Sequence, residues 1–419
     1  MKYPRTITVV GLIAILLAAC GVVDGHLESR SSTINEETDS ARNDAILINI
    51  VRASRSQPLN FAPISKASGT QTTDLKVGLP TITLGPGQTV AQKQFAFAGN
   101  TWDNSVGSSF DTAPLETHDF YQNMLSQVPV SMIDVLIRQG FPRELVFDAM
   151  IESVRVTGNG AVMEVRNDPL AEADPTQCPS AASFYGENGV REDAANNIYD
   201  PGSAEYGKSA ACEYHRFEFF LQKAMAWGIN VETKNVANPD YNDAAVQAAK
   251  TAGKSPPSKT VAQSSFCFDP AFAVPAEKSR VMTFADRCGA GNPKAENTDL
   301  KVAFVTRGGK SAPFTFTIRP RSPTAVFRYF GHLLRVTDEN PVRLYWGDAI
   351  AQAGDAKILT VSMTYTDACF AKAAYFGQNY CVPYDGADAT KQVFAILAQL
   401  VALSTATGSL PTTLDVRLQ

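Results

Sequence analysis

Val154-Arg-Val-Thr-Gly-Asn-Gly-Ala-Val-Met-Glu-Val165 alternates apolar and polar side chains on both sides of Asn159-Gly160. Asn-Gly is the dipeptide that tolerates positive φ at both centres of a tight turn, so the stretch predicts a β-hairpin. Before it the period changes to that of helices. Thr117 is placed to cap a helix bearing Phe120, Met124 and Leu125, which Pro129 interrupts. Ser131 with Asp134 starts a second through Met132, Ile133, Leu136 and Ile137 to Gly140, and Pro142 opens a third with Leu145, Val146, Ala149 and Met150. Glu144 and Asp148 share a face of that third helix and read as solvated charge. Further on, 302–307 and 313–319 alternate around Gly308-Gly309-Lys310, with Phe314, Phe316 and Ile318 on one face, a second hairpin. Ser322-Pro323 then opens a helix carrying Val326, Phe327, Phe330, Leu333 and Leu334. Hairpins mixed with helices, without a βαβ rhythm, predict an α+β protein in which short helices pack on antiparallel hairpins.

The remaining chain fits around this frame. Residues 44–55 form an amphipathic helix with Ile46, Leu47, Ile50 and Val51 inward and Asn49, Arg52 and Arg55 on a solvated face. Short alternations between Thr70 and Asn100 suggest one or two strands, and Glu213 to Trp227 a helix with Phe217, Phe220, Leu221 and Ala224 inward. Residues 167–211 lack a sustained period and read as a long loop, and 235–265, containing Pro256-Pro257, as a linker. Strands are expected at 342–346, 358–365 and 414–418, and a helix from Asp388 carrying Val393, Ile396, Leu397, Leu400 and Val401. The expected organisation is a leader at 1–19, a tether at 20–39, an N-terminal domain at 40–234, the linker at 235–265 and a C-terminal domain at 266–419.

The leader has a basic start, Lys2 and Arg5, and an apolar run from Ile7 to Leu17, too short to span a bilayer. It ends in Leu17-Ala18-Ala19-Cys20. This resembles the lipobox of bacterial lipoprotein precursors, and the resemblance implies cleavage before Cys20, its lipidation and N-acylation. Gly21 is not the aspartate associated with inner-membrane retention in that class, so the resemblance favours the outer membrane, facing the periplasm or the cell surface. Losing the 19-residue leader with Lys2 and Arg5 would take the formal net charge from −5 to −7. Such a mildly acidic chain disfavours nucleic acid as a partner.

With Cys20 set aside, Cys178, Cys212, Cys267, Cys288, Cys369 and Cys381 remain. An even set in an oxidising compartment reads as three disulfides stapling long loops, paired as sequence neighbours. No Cys-x-x-Cys occurs, and Cys212-Glu-Tyr-His215 is half a motif, so no metal site is expected.

Chemistry-bearing motifs are sparse. Gly202-Ser-Ala-Glu-Tyr-Gly-Lys-Ser209 spells a P-loop, but a turn-forming stretch, Asn196 to Pro201, stands where the preceding strand is required, so no nucleotide is expected. No nucleophile elbow or zinc-protease signature is present. His118, His215 and His332 are the body's histidines, and no catalytic residue or cofactor is assigned. Arg319-Pro-Arg321-Ser322-Pro323 sits at a strand-to-helix junction, where Arg319, Arg321 and Ser322 could hold an anion, or Ser322 could cap while the arginines pair with local acids. The stretches 43–54, 58–61, 139–145, 321–331 and 397–403 together resemble a group of uncharacterised Gram-negative exported lipoproteins. That resemblance brings no activity with it. The expectation is a non-enzymatic, lipid-anchored binding or scaffold component of an outer-membrane assembly, with the membrane and an envelope protein as partners. The alternative is an envelope hydrolase, which a cleft converging one of the three histidines with an acid and a hydroxyl would favour.

Overall fold

The two arms predicted on either side of Asn159-Gly160 pair in the computed structural model, which describes residues 35–61, 64–74, 103–112, 117–158, 161–171, 213–290, 298–305, 311–336, 358–363 and 368–405. The expected leader with Cys20, the Cys178 and Cys212 pair, the P-loop match and the strands at 342–346 and 414–418 lie outside the described residues. Contact density divides the chain into two compact units. One holds the antiparallel pair β1 (Ile64–Asp74) and β2 (Asp103–Thr112), in register from Ala67↔Phe110 to Asp74↔Asp103. The other spans Ser40–Asn60 and Thr117–Gly408 and contains everything that follows.

Helix α1 (residues 35–54), whose part from Ser40 onward lies in that unit, begins inside the expected tether. Ile46, Leu47, Ile50 and Val51 are buried as predicted, but so is Asn49. Its Nδ2 donates to Ala45 O and Asn60 O, and its Oδ1 accepts from Asn60 N, so it clasps the chain leaving the helix rather than facing water. The helices α2 (His118–Leu125), α3 (Val130–Arg138) and α4 (Arg143–Met150) match the three expected, with Thr117 Oγ1 capping α2. Helix α4 is packed against α3 and against three later helices, α5 (Glu213–Ala226), α8 (Pro323–Val336) and α9 (Asp388–Thr405). This enclosure corrects the reading of Glu144 and Asp148, both of which are buried.

From α4 the chain passes directly into β3 (Ile151–Gly158), which pairs with β4 (Ala161–Arg166) from Ser153↔Arg166 to Gly158↔Ala161. The second predicted hairpin is β7 (Asp299–Val305) with β8 (Ser311–Pro320). The two hairpins join through β3 and β8 into one antiparallel sheet, ordered β4-β3-β8-β7. Val154, Val156, Val165, Phe314, Phe316 and Ile318 bury one face of it. Gly158 is required there, since a Cβ would stand 2.3 Å from the Phe314 ring.

The expected linker is also corrected. Residues 235–265 belong to a hairpin of the same unit, in which β5 (Ile229–Ala237) pairs with β6 (Thr260–Phe268) around α6 (Asp243–Thr251). Only the Phe266 to Phe268 end of β6 and its neighbours are buried, and the polar far end reads as loop in sequence. Cys267 is bonded to Cys288, closing a stretch that includes the short α7 (Lys278–Val281). Cys369 is bonded to Cys381, both pairs being those that neighbour pairing expects. The second bridge staples a hairpin rather than an irregular loop: β9 (Cys369–Tyr375) pairs with β10 (Gln378–Pro383). Within 358–363, expected as strand, Ser362 makes a single bridge to Cys381.

Candidate functional site

A β-bulge lines a cleft on the sheet. Along β3 and β8 the register passes from Ile151↔Pro320 to Ser153↔Arg319, leaving Glu152 as the extra residue. A regular strand turns consecutive side chains to opposite faces, whereas a bulge re-aims one of them. Glu152 and Ser153 accordingly line the same cleft, of about 320 Å³. Strand β4 adds Glu164 and Arg166, the segment after it Asn167 and Asp168, and β8 Arg319. The facing wall is one stripe of α8, Ala325, Arg328, Tyr329 and His332, whose spacing places them on one side of the helix.

Behind the cleft lies a buried polar network. Arg321 is 2 % exposed, and its Nη1 donates to Asp148 O at 2.7 Å and Ala149 O at 2.8 Å. Its Nη2 donates to Asn167 O, and its guanidinium lies 3.8 Å from the Tyr329 ring centre. Arg321 N donates to Met150 O, and Asn167 Nδ2 to Asp148 O and Ile151 O. The final carbonyls of α4, which a helix cannot satisfy internally, are thus capped by residues from β8 and from beyond β4. Tyr329 donates to Asp148 Oδ2 at 2.6 Å. Burial pushes the Asp148 carboxyl up to about 6, against the partial relief that Tyr329 and Arg321 provide. Burial, then the Asp148 charge, pushes the Tyr329 hydroxyl well above its usual range, and burial lowers Arg321.

The rim carries the chemistry open to a ligand. His332 Nδ1 lies 2.7 Å from Asp168 Oδ1. Burial alone would raise Asp168, but bonds from His332 and from Leu170 N outweigh it and hold the carboxyl below its ordinary value. Ser153 Oγ donates to Glu164 Oε1 at 3.1 Å, and Arg319 pairs with Glu152 at 3.3 Å. Arg166 and Arg328 are exposed and form no ion pair among the described residues.

The structure therefore separates the three residues of the expected anion site. Arg319 is on the rim; Arg321 is a buried clamp; Ser322 Oγ accepts from Ala325 N at 3.2 Å and caps α8. His332 enters the cleft, while His118 is exposed beside Asp119, 3.5 Å away. Sequence reasoning did not single out Glu152, Ser153, Glu164, Arg166, Asn167, Asp168 or Arg328. The stripe at 325, 328, 329 and 332 was the one available signal, and it needed a partner wall to have meaning. Among the described residues no group of three or more His, Cys, Asp or Glu is placed to hold a metal ion, and no helix is long and apolar enough to cross a membrane. No protein-family model, curated protein or solved structure matches the chain.

Proposed function

We propose that the protein is a lipid-anchored envelope protein of the outer membrane that works by binding, with the cleft between the β-bulge and α8 as its ligand site. Leu17-Ala18-Ala19-Cys20 supports the anchor, and the two disulfides suit an oxidising compartment. The observation that carries binding over catalysis is the engagement of the cleft's hydroxyl. Ser153 Oγ is committed to Glu164, and no Ser153–His332 bond is present among the described residues. Labelling with radioactive palmitate and membrane fractionation test the anchor: the wild type should carry label and sediment with membranes, and Cys20→Ser should lose both. A Cys20→Ser protein that stayed labelled would refute it.

The second reading, an envelope hydrolase, is favoured by the His332–Asp168 pair, since a carboxylate on Nδ1 orients an imidazole as a general base. It would displace the binding reading if the purified chain turned over a chromogenic ester and both Ser153→Ala and His332→Gln abolished that turnover.

A further inference from the structure

We infer that the tip of the β9–β10 hairpin is a second membrane contact, an exposed aromatic ring flanked by arginines that docks on an anionic phospholipid surface; this rests on the anchored reading above. Two observations carry it, one of strain and one of charge. Tyr375 pairs with Gln378, so Phe376 and Gly377 form the two-residue turn. Phe376 is 72 % exposed, at φ 48°. Among the described residues, Ser56 is the only other non-glycine residue with a positive φ, and it lies at the same place, since its neighbours Arg55 and Gln57 both touch the tip. A large ring held in water on a left-handed backbone costs the fold and buries little in return. Strain kept at such a position points to use rather than to stability. The turn is also braced against the end of α1. Tyr375 donates to Gln57 Oε1, and Arg55 Nη2 donates to Gln378 Oε1 and, at 3.0 Å, to the Tyr380 hydroxyl.

The charge around the ring has one sign. Arg55 lies 6.0 Å from the Phe376 ring centre, and Arg52 5.9 Å from that of Tyr375. Residues 51–61 and 370–384, which build the tip and its brace, contain no Asp or Glu, in a chain with 42 acidic residues against 37 basic. The carboxylate of Asp44 meets the hairpin at Lys372 N, three residues before Tyr375. An apolar ring between guanidiniums matches a bilayer interface, where aromatic rings settle at headgroup depth and arginines are drawn to anionic lipid. A glycan fits less well, because the polar groups of Tyr375, Gln57 and Gln378 are engaged with this brace rather than open to sugar hydroxyls. The anchor permits the contact. Cys20 stands 20 residues before Ser40, where the unit carrying the tip begins, a reach of at most about 70 Å and of the order of a domain's own diameter.

Reconstitution of the full lipidated chain into vesicles of equal parts brominated phosphatidylglycerol and phosphatidylethanolamine tests the inference, with Phe376→Trp as the reporter. The emission that this substitution adds over wild type should be quenched about twofold, as for a ring settled roughly 5–10 Å into the headgroup boundary. Arg52→Gln with Arg55→Gln should release that quenching, since each arginine near an anionic surface shifts attachment about fivefold, whereas Arg52→Lys with Arg55→Lys keeps the charge and should retain it. Vesicles of brominated phosphatidylcholine alone should quench as little as the glutamine pair does. An unquenched reporter, equal quenching in phosphatidylcholine, or quenching unmoved by the glutamine pair would overturn the inference. So would a spectral shift with chitotetraose in place of quenching by lipid, which would make the ring a sugar platform. Failure of the anchor is read separately, as loss of the palmitate label; a labelled chain with an unquenched tip sinks this inference and leaves the anchor standing.

Discussion

Asp148 and Arg321 are the residues on which the site leans hardest. Asp148 lies within the helix the site is built on, and Arg321 holds the carbonyls at that helix's end. The Asp148 carboxyl has an ordinary value of 3.8 and is raised to about 6 in the folded protein, so the fold favours its protonated form. Its contribution to stability is complete below about 3.8 and is lost as pH rises through about 6, a swing of roughly 3 kcal/mol between those limits. Urea unfolding from pH 5 to pH 8 should therefore show wild type losing stability relative to Asp148→Asn, which carries no charge at that position. Parallel curves would contradict the buried carboxyl. Asp168 is lowered, so its own loss falls at more acid pH, outside that window. Neither role was legible in sequence. Asp148 stands four residues from Glu144 in the pattern of a solvated face, and only the later helices around α4 make both buried. Arg321 reads as an anion ligand because a buried guanidinium that caps carbonyls 173 and 172 residues away leaves no local mark.

Hairpins divide into those a sequence announces and those it hides. Asn159-Gly160 and Gly308-Gly309 supply residues tolerant of positive φ, and both of their hairpins were predicted. The β9–β10 turn places Phe376 at φ 48° and Gly377 at φ 77°, the same two-residue geometry, but with an aromatic residue where Asn or Gly is usual. Nothing in Tyr375-Phe-Gly-Gln378 signals a tight turn, and the stretch reads as a disulfide-closed loop. The left-handed conformation costs a bulky residue about 1–2 kcal/mol, and Phe376 is 72 % exposed, so little burial offsets the cost. Phe376→Asn should accordingly raise stability by about 1 kcal/mol, read as a shift of the urea midpoint at constant slope. A fall would mean that the ring's contacts with Tyr375 and Arg55 outweigh the strain. The cleft was legible only in part for a related reason. Arg319 and His332 were named from local context, while Ser153 and Glu152 acquire their shared direction from a bulge that exists only against β8.

On the scale of the whole chain, class and hairpins follow from local pattern, and assembly does not. The pairing of β3 with β8 and the packing of α1 on α8 bring together segments between 150 and 280 residues apart, which no periodicity encodes. The two disulfides act at this scale as well. Closing loops of 21 and 12 residues should contribute about 3 kcal/mol each by restricting the unfolded chain. Replacing Cys267, Cys288, Cys369 and Cys381 together by Ala should lower unfolding stability by about 6 kcal/mol, comparable to the whole stability of many domains. A urea midpoint within experimental error of wild type would show that the bridges are incidental.

Gly331 brings a final point into view. Its missing side chain lets α8 touch the backbone of Ala53 and Ser54 at the end of α1, where a Cβ would stand 2.6 Å from Ser54 N. Asp44, earlier in α1, accepts from Lys372 N, from a strand later still. The first helix of this unit to leave the ribosome therefore has to wait for partners made near the end of synthesis. Contacts of such long reach are slow to close, because the intervening chain must be gathered before they reward it. Under the export proposed above, that delay is an advantage: the helix that would enter a translocation channel ahead of its partners has nothing yet to fold against.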